Sequence, residues 1–195
     1  MQLLEDDSNI MNIQTMNNIT DIDMAVMGNL VDTPMHGYQL YKNITELPCV
    51  KMIWKVKIAN IYAILNKFDQ ASYIQSLLVS NGNRPQKKQY KITDLGKKAF
   101  FEWINTPVNR SRDFRLIFQF KLFYSLKYTP SFAVQLIQNQ RKMCQDWLKK
   151  SKPNGHNDQL DDDYSKYIIK FRNFQIQSYL DWLDWCEDHV LMEKK

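Results

Sequence analysis

The stretch "KIANIYAILNKF", residues 57–68, decides how this chain is read. Ile58, Ile61, Tyr62 and Leu65 recur at i, i+3, i+4 and i+7, the spacing of one face of an α-helix. That spacing predicts a core-facing stripe of those four residues. Lys57, Asn60 and Lys67 then lie on the opposite side, with Ile64 between them. Immediately afterwards the period changes. "YIQSLLV" (73–79) is rich in strand formers, "NGNRPQKK" (81–88) is a basic run of turn residues, and "QYKIT" (89–93) reads as a returning strand. A helix with a polar, basic face therefore runs straight into a hairpin with a charged tip.

Working backwards, "IDMAVMGNLV" (22–31) has the apolar spacing of a short helix ending near Asp32. Asp32 or Thr33 is suited to cap the next helix. Pro34 is tolerated at the start of that helix, where its missing N–H costs nothing. Tyr38, Leu40, Tyr41 and Ile44 carry its apolar spacing, and Pro48 breaks the pattern after residue 47. Helix, helix, helix and basic hairpin is the order of a winged helix-turn-helix, in which the third helix enters the DNA major groove and the second braces it.

Working forwards, Thr93 or Asp94 can cap "LGKKAFFEWI" (95–104), which ends before Pro107. From Asp113 the character changes. "DFRLIFQFKLFYSLKY" (113–128) is apolar and long enough for a helix. "TPSFAVQLIQNQRKMCQDWLKK" (129–150) opens with Thr129 as an N-cap and Pro130 at the first helical position. "SKPNGHNDQLDDD" (151–163) is a polar linker, and a last helix is expected over 164–191. The expected organisation is an N-terminal, flexible extension over 1–20, a winged-helix DNA-binding domain over 21–107 and a helical dimerisation domain over 112–195. The fold class is mainly α with a small β-hairpin wing.

Charge is unevenly distributed. The chain has 195 residues and a net charge of +5. Residues 1–46 hold one base and seven acids, whereas residues 47–93 hold eight bases against Asp69 alone. A basic stretch of that density suggests a polyanion partner. The three cysteines, Cys49, Cys144 and Cys186, match no metal or disulfide spacing, and His36, His156 and His189 have no paired ligand motif. Neither GxGxxG nor GxxxxGK[ST] occurs. No cofactor, metal or catalytic residue is therefore assigned, and an enzyme is not expected. No apolar run reaches the roughly 18–20 residues of a membrane span. The first twenty residues carry three acids and no apolar centre, so no secretory signal is read and a cytoplasmic location is expected.

Four motifs in order carry a family resemblance. "PMHGYQL" (34–40), "WKVKIANIYAIL" (54–65), "NRPQKKQYKITDLGKKAFFEWI" (83–104) and "FKLFYSL" (120–126) resemble the corresponding segments of the PadR-like transcriptional regulators, over about residues 22–190. The resemblance implies a regulator, expected as a dimeric repressor that holds an inverted repeat of double-stranded DNA. The expected DNA-binding residues are His36, Tyr38, Lys55, Lys57, Asn60, Lys67, Arg84, Lys87 and Lys88. For His36, a packing role is the alternative. Two departures stand out. The family's usual Ser-Tyr-Gly-Gln is replaced by Lys57, Ile58, Ala59 and Asn60, and Asn83 stands where a Gly normally precedes Arg-Pro. The family's operator sequence therefore does not transfer to this chain.

The last helix is apolar over a wide arc. Ile168, Phe171, Trp182 and Trp185 form one line; Ile169, Ile176, Leu180, Leu183 and Val190 form its neighbour. So wide an arc calls for cover on more than one side, which a second chain would supply. Phe118, Phe123, Tyr164, Ile168, Phe171, Trp182 and Trp185 are the expected dimer interface or effector pocket. Some members of the family take phenolic or other aromatic effectors, so an aromatic effector is a further expected partner. Rings that simply fill the dimer core are the alternative. A protein-interaction module on a winged-helix scaffold is the competing function; it predicts a neutral or acidic recognition face.

Overall fold

Thr20 caps the first helix by closing a capping box. Its Oγ1 accepts the Asp23 N–H at 3.3 Å, and the Asp23 carboxylate accepts the Thr20 N–H at 2.8 Å. The computed structural model describes residues 19–79, 87–150 and 163–192. Residues 1–18 of the expected extension, the wing tip 80–86 with Arg84, and the linker from 151 to 162 lie outside the described residues.

The described residues fall into two compact units that divide between Trp103 and Ile104. The first contains helix α1 (Asp21–Met27) with a 3-10 turn (Gly28–Leu30), strand β1 (Met35–His36), and helices α2 (Gly37–Glu46), α3 (Pro48–Ile53) and α4 (Ile58–Gln70). Strands β2 (Ile74–Val79) and β3 (Lys87–Ile92) follow, then helix α5 (Asp94–Ile104). The three strands form an antiparallel sheet in the order β1-β3-β2, with Met35 opposite Tyr90 and Ile74 opposite Ile92. This is a winged helix: helices braced on a small sheet whose β2–β3 hairpin is the wing.

Three sequence expectations change here. Helix α2 begins at Gly37, not at Pro34, because Met35 and His36 are taken as a strand by β3, a pairing partner more than fifty residues away. Pro48 ends one helix but also opens another, α3, where it occupies the first turn. The core stripe of α4 is Ile61, Ile64, Leu65 and Phe68, all buried, whereas Ile58 and Tyr62 are 39% and 42% exposed. Both stripes satisfy helical spacing, and they differ by roughly 60° of rotation at 100° per residue. Phe68 decides between them: a fully buried phenyl is the larger apolar gain, and it lies beyond the end of the Ile58–Leu65 stripe.

Two close packings fix the first unit. Thr93 Oγ1 accepts the Gly96 N–H at 3.1 Å as the cap of α5 and donates to the Ser72 carbonyl at 2.8 Å. A Cβ at Gly96 would run into the Tyr73 carbonyl oxygen, so only glycine lets α5 lie against that backbone. Ser72 takes the left-handed region at φ 57° in the turn between α4 and β2.

The second unit holds a 3-10 helix (Ser111–Arg115) and helices α6 (Ile117–Tyr128), α7 (Pro130–Lys150) and α8 (Asp163–Met192). Thr129 does flank α7, but its hydroxyl lies 3.4 Å from the Ser125 carbonyl, to which it donates, and its own carbonyl takes the Phe132 N–H at 2.8 Å. Its core is aromatic. Phe114 stacks on Phe118 at 4.8 Å and on Tyr179 at 4.0 Å, with Trp182 edge-on to both phenyl rings. Arg141 joins α7 to α8 through Asp184 at 2.7 Å and Glu187 at 2.5 Å. Gln140 receives the Val108 N–H at 2.7 Å and returns a bond to its carbonyl, pinning the segment that enters this unit.

Candidate nucleic-acid interface

Extended residues between α3 and α4 set up the basic side of the first unit. Along Trp54–Lys57 the side chains alternate, so that Val56 is buried while Lys55 and Lys57 are exposed. Lys57 is also the N-cap of α4 without using its side chain as a cap, which leaves its ammonium at the positive end of that helix. On α4 itself Ala59, Asn60, Tyr62, Ala63 and Asn66 are exposed. Two alanines in that face keep it shallow, so the helix axis can approach a groove closely; Asn60 and Asn66 offer amides able to read base edges. The sequence places Tyr62 on the core stripe and singles out no role for Asn66; burial of Phe68 instead turns both outward.

Beside α4 lies a cleft of about 420 Å³ lined by His36, Gly37, Tyr38, Gln39, Tyr62, Lys87, Lys88 and Tyr90. It brings together four of the expected contact residues: His36, Tyr38, Lys87 and Lys88. His36 is fixed by its Nδ1, which lies 2.9 Å from the Lys88 carbonyl and donates to it, leaving Nε2 as the nitrogen for a ligand. The expected alternatives for His36 thus merge. The ring ties the start of α2 to the wing and still lines the cleft. Gly37 leaves room for the Tyr62 ring to lie against the start of α2, its Cε1 being 2.6 Å from where a Cβ would stand. Lys88 lies over the Tyr90 ring at 5.3 Å and reaches Asp69 at 3.8 Å, an exposed and weak pairing. Burial holds the Tyr90 phenol above its ordinary range, so its hydroxyl stays neutral and able to donate.

Lys67 does not belong to this face. Its Nζ is 2.9 Å from the Asp23 carboxylate, which is buried, so it neutralises that charge and ties α4 to α1. The physical reason is that a buried carboxylate needs a cation more than the surface does. Arg84 lies outside the described residues.

In the second unit, Phe118 is fully buried and Trp182 is held in the aromatic stack, so both serve that unit's own core. Phe123 is partly exposed and edge-on to Tyr124. Tyr164, Ile168, Phe171 and Trp185 are exposed at 71%, 50%, 64% and 56%, and Trp185 stacks on His189 at 3.8 Å. The single line expected along α8 is therefore split: Trp182 faces inward and the rest outward. Burial pushes the thiols of Cys144 and Cys186 up to about 11, which keeps them protonated and unreactive. Among the described residues no group of acids, histidines and cysteines could hold a metal, and no helix is long and apolar enough to cross a membrane.

The first unit has the architecture of a winged helix-turn-helix, with lysines flanking its outer helix α4. Residues 26–102 match the model of the transcriptional regulator PadR-like family. A probable transcriptional regulator of Mycobacterium tuberculosis is 25% identical over 88 residues, 45% of this chain and 46% of that protein. The negative transcriptional regulator PadR of Bacillus subtilis is 28% identical over 80 residues, 41% of this chain and 43% of that protein. The chain thus matches less than half the length of both curated relatives. Among solved structures, Bacillus subtilis PadR in complex with operator DNA has a TM-score of 0.42 at 19% identity, covering 87% of this chain and 98% of that one. The same protein with p-coumaric acid has a TM-score of 0.39 at 19% identity, covering 88% and 99%.

Proposed function

We propose that this protein is a dimeric regulator of transcription, a repressor, that binds an inverted repeat of double-stranded DNA and is released by an aromatic effector. The observation that carries the DNA reading is the exposed face of α4, polar and shallow, with Lys55 and Lys57 at its N-terminal end and the wing lysines beside it. In this reading Asn60 and Asn66 read base edges, while Lys55, Lys57, Lys87, Lys88 and Arg84 neutralise phosphates. His36, Tyr38 and Tyr62 line the cleft where the strand backbone passes between α2 and the wing. The lysines around α4, Lys55 and Lys57 before it and Lys87 and Lys88 beside it, argue against the interaction-module alternative. Repression follows from steric exclusion, and the 28% identical relative named as a negative regulator supports it.

Dimerisation is assigned to α8. Tyr167 and Phe174 lie two turns apart with exposures of 74% and 65%, an apolar strip that a second α8 would cover. A two-fold pair sets two α4 helices about one DNA turn, roughly 34 Å, or a multiple of it, apart. The test is selection of genomic fragments by the full chain, followed by gel shifts at moderate salt. An inverted repeat bound in preference to random DNA is the expected result. No preference at any salt concentration overturns the reading.

A further inference from the structure

The helical unit contains an open groove of about 670 Å³ that the DNA-binding face does not use. Its apolar floor and wall are Trp147 from α7 and Ile168 and Phe171 from α8. Around them stand Arg110 and Arg112 from the 3-10 entry, Lys150 at the end of α7 and Arg172 on α8. Among the described residues no acid lines the groove. Arg112 lies 3.7 Å from Asp113, a long and exposed pairing; no carboxylate partner of Arg110, Lys150 or Arg172 occurs among the described residues.

Four like charges around one concavity raise its positive potential, which favours an anion there. Guanidinium forks match phosphate and carboxylate oxygens two at a time. The Phe171 ring, 64% exposed, offers flat apolar surface for a planar group, and the buried Trp147 indole backs the floor. We infer that this groove binds a small planar aromatic molecule carrying at least two negative charges, of the aromatic phosphate type. A monoanion would leave most of the cationic rim unmatched, and an anion without a ring would leave the Trp147–Phe171 surface wet.

This deepens the effector reading by naming a ligand class and a site, and it is tested without DNA, so that it stands or falls separately. Adenosine 5′-monophosphate is the probe, titrated calorimetrically into the full chain at constant ionic strength. Adenosine and inorganic phosphate are the comparison ligands. Saturable binding of the nucleotide is expected, with adenosine and phosphate each weaker by about tenfold or more, since each lacks one half of the recognition. The double variant Arg110→Ala/Arg172→Ala, which alters two exposed side chains, is expected to weaken the nucleotide by about tenfold or more. Phe171→Ala is expected to weaken the nucleotide while leaving inorganic phosphate unchanged. Binding no tighter than that of phosphate, binding unaffected by the arginine variant, or no binding at millimolar nucleotide overturns the inference.

Discussion

At the scale of single residues, glycines and one buried charge pair carry the sharpest expectations. Gly37→Ala places a Cβ 2.6 Å from Tyr62 Cε1 and 2.9 Å from its Cζ. The obstructing atoms are the far end of a partly exposed side chain, so the ring swings out into solvent. The variant is expected to keep its stability within about 1 kcal/mol by urea unfolding, yet lose DNA affinity in gel shifts because the cleft changes shape. Gly96→Ala behaves oppositely. Its Cβ meets the Tyr73 carbonyl, which cannot move without shifting β2, so a loss of about 1–3 kcal/mol is expected in the same unfolding assay. Lys67→Met separates structure from recognition. Leaving the Asp23 carboxylate buried without its cation is expected to cost about 1–3 kcal/mol, discounted for the partial exposure of Lys67. Folded protein of this variant retains the DNA affinity of the parent.

At the scale of elements, the attachment of α8 to α7 is expected to depend on pH. The Gln138 amide, followed by Arg141, holds the Glu187 carboxyl below its ordinary range against the opposing effect of burial. A carboxyl lowered on folding stabilises the native state above its unfolded value, and that contribution is lost as pH falls through the lower folded value. Arg141→Met is therefore expected to lower stability by about 1 kcal/mol at neutral pH. The difference from the parent shrinks once the medium is more acid than the ordinary glutamate range, as thermal unfolding across pH would record. On the wing, Lys87→Ala and Lys88→Ala are each expected to weaken binding to all DNA sequences alike and to lessen the salt slope by about one. Asn66→Ala instead relaxes preference at particular base pairs and leaves the slope unchanged.

At the scale of the whole molecule, the apolar strip on α8 ought to have a partner. Phe174→Glu introduces a charge at a position exposed in the single chain, so the fold of the unit tolerates it. A strip covered by a second copy would not. Sedimentation is expected to show a monomer for the variant and a dimer for the parent at micromolar concentration. Specific DNA binding falls with it, because one half-site alone supplies too few contacts. A parent chain that sediments as a monomer would remove the dimer from the reading.

Much of this was legible in the chain's order of patterns. Helical spacing, then a basic turn between strand formers, then Thr93 and Gly96 before an aromatic helix, specify a winged helix from local physics alone, since caps, turns and periodicity act within a few residues. The uneven charge of residues 47–93 likewise pointed to a polyanion partner without any coordinates. Tertiary structure decided what depends on distant neighbours. Met35 and His36 became a strand because β3 offers them a backbone partner, and Lys67 left the basic face because Asp23 is buried within reach. The rotation of α4 and the inward turn of Trp182 were settled the same way: two stripes fit the same spacing, and only the surface available to cover them selects one.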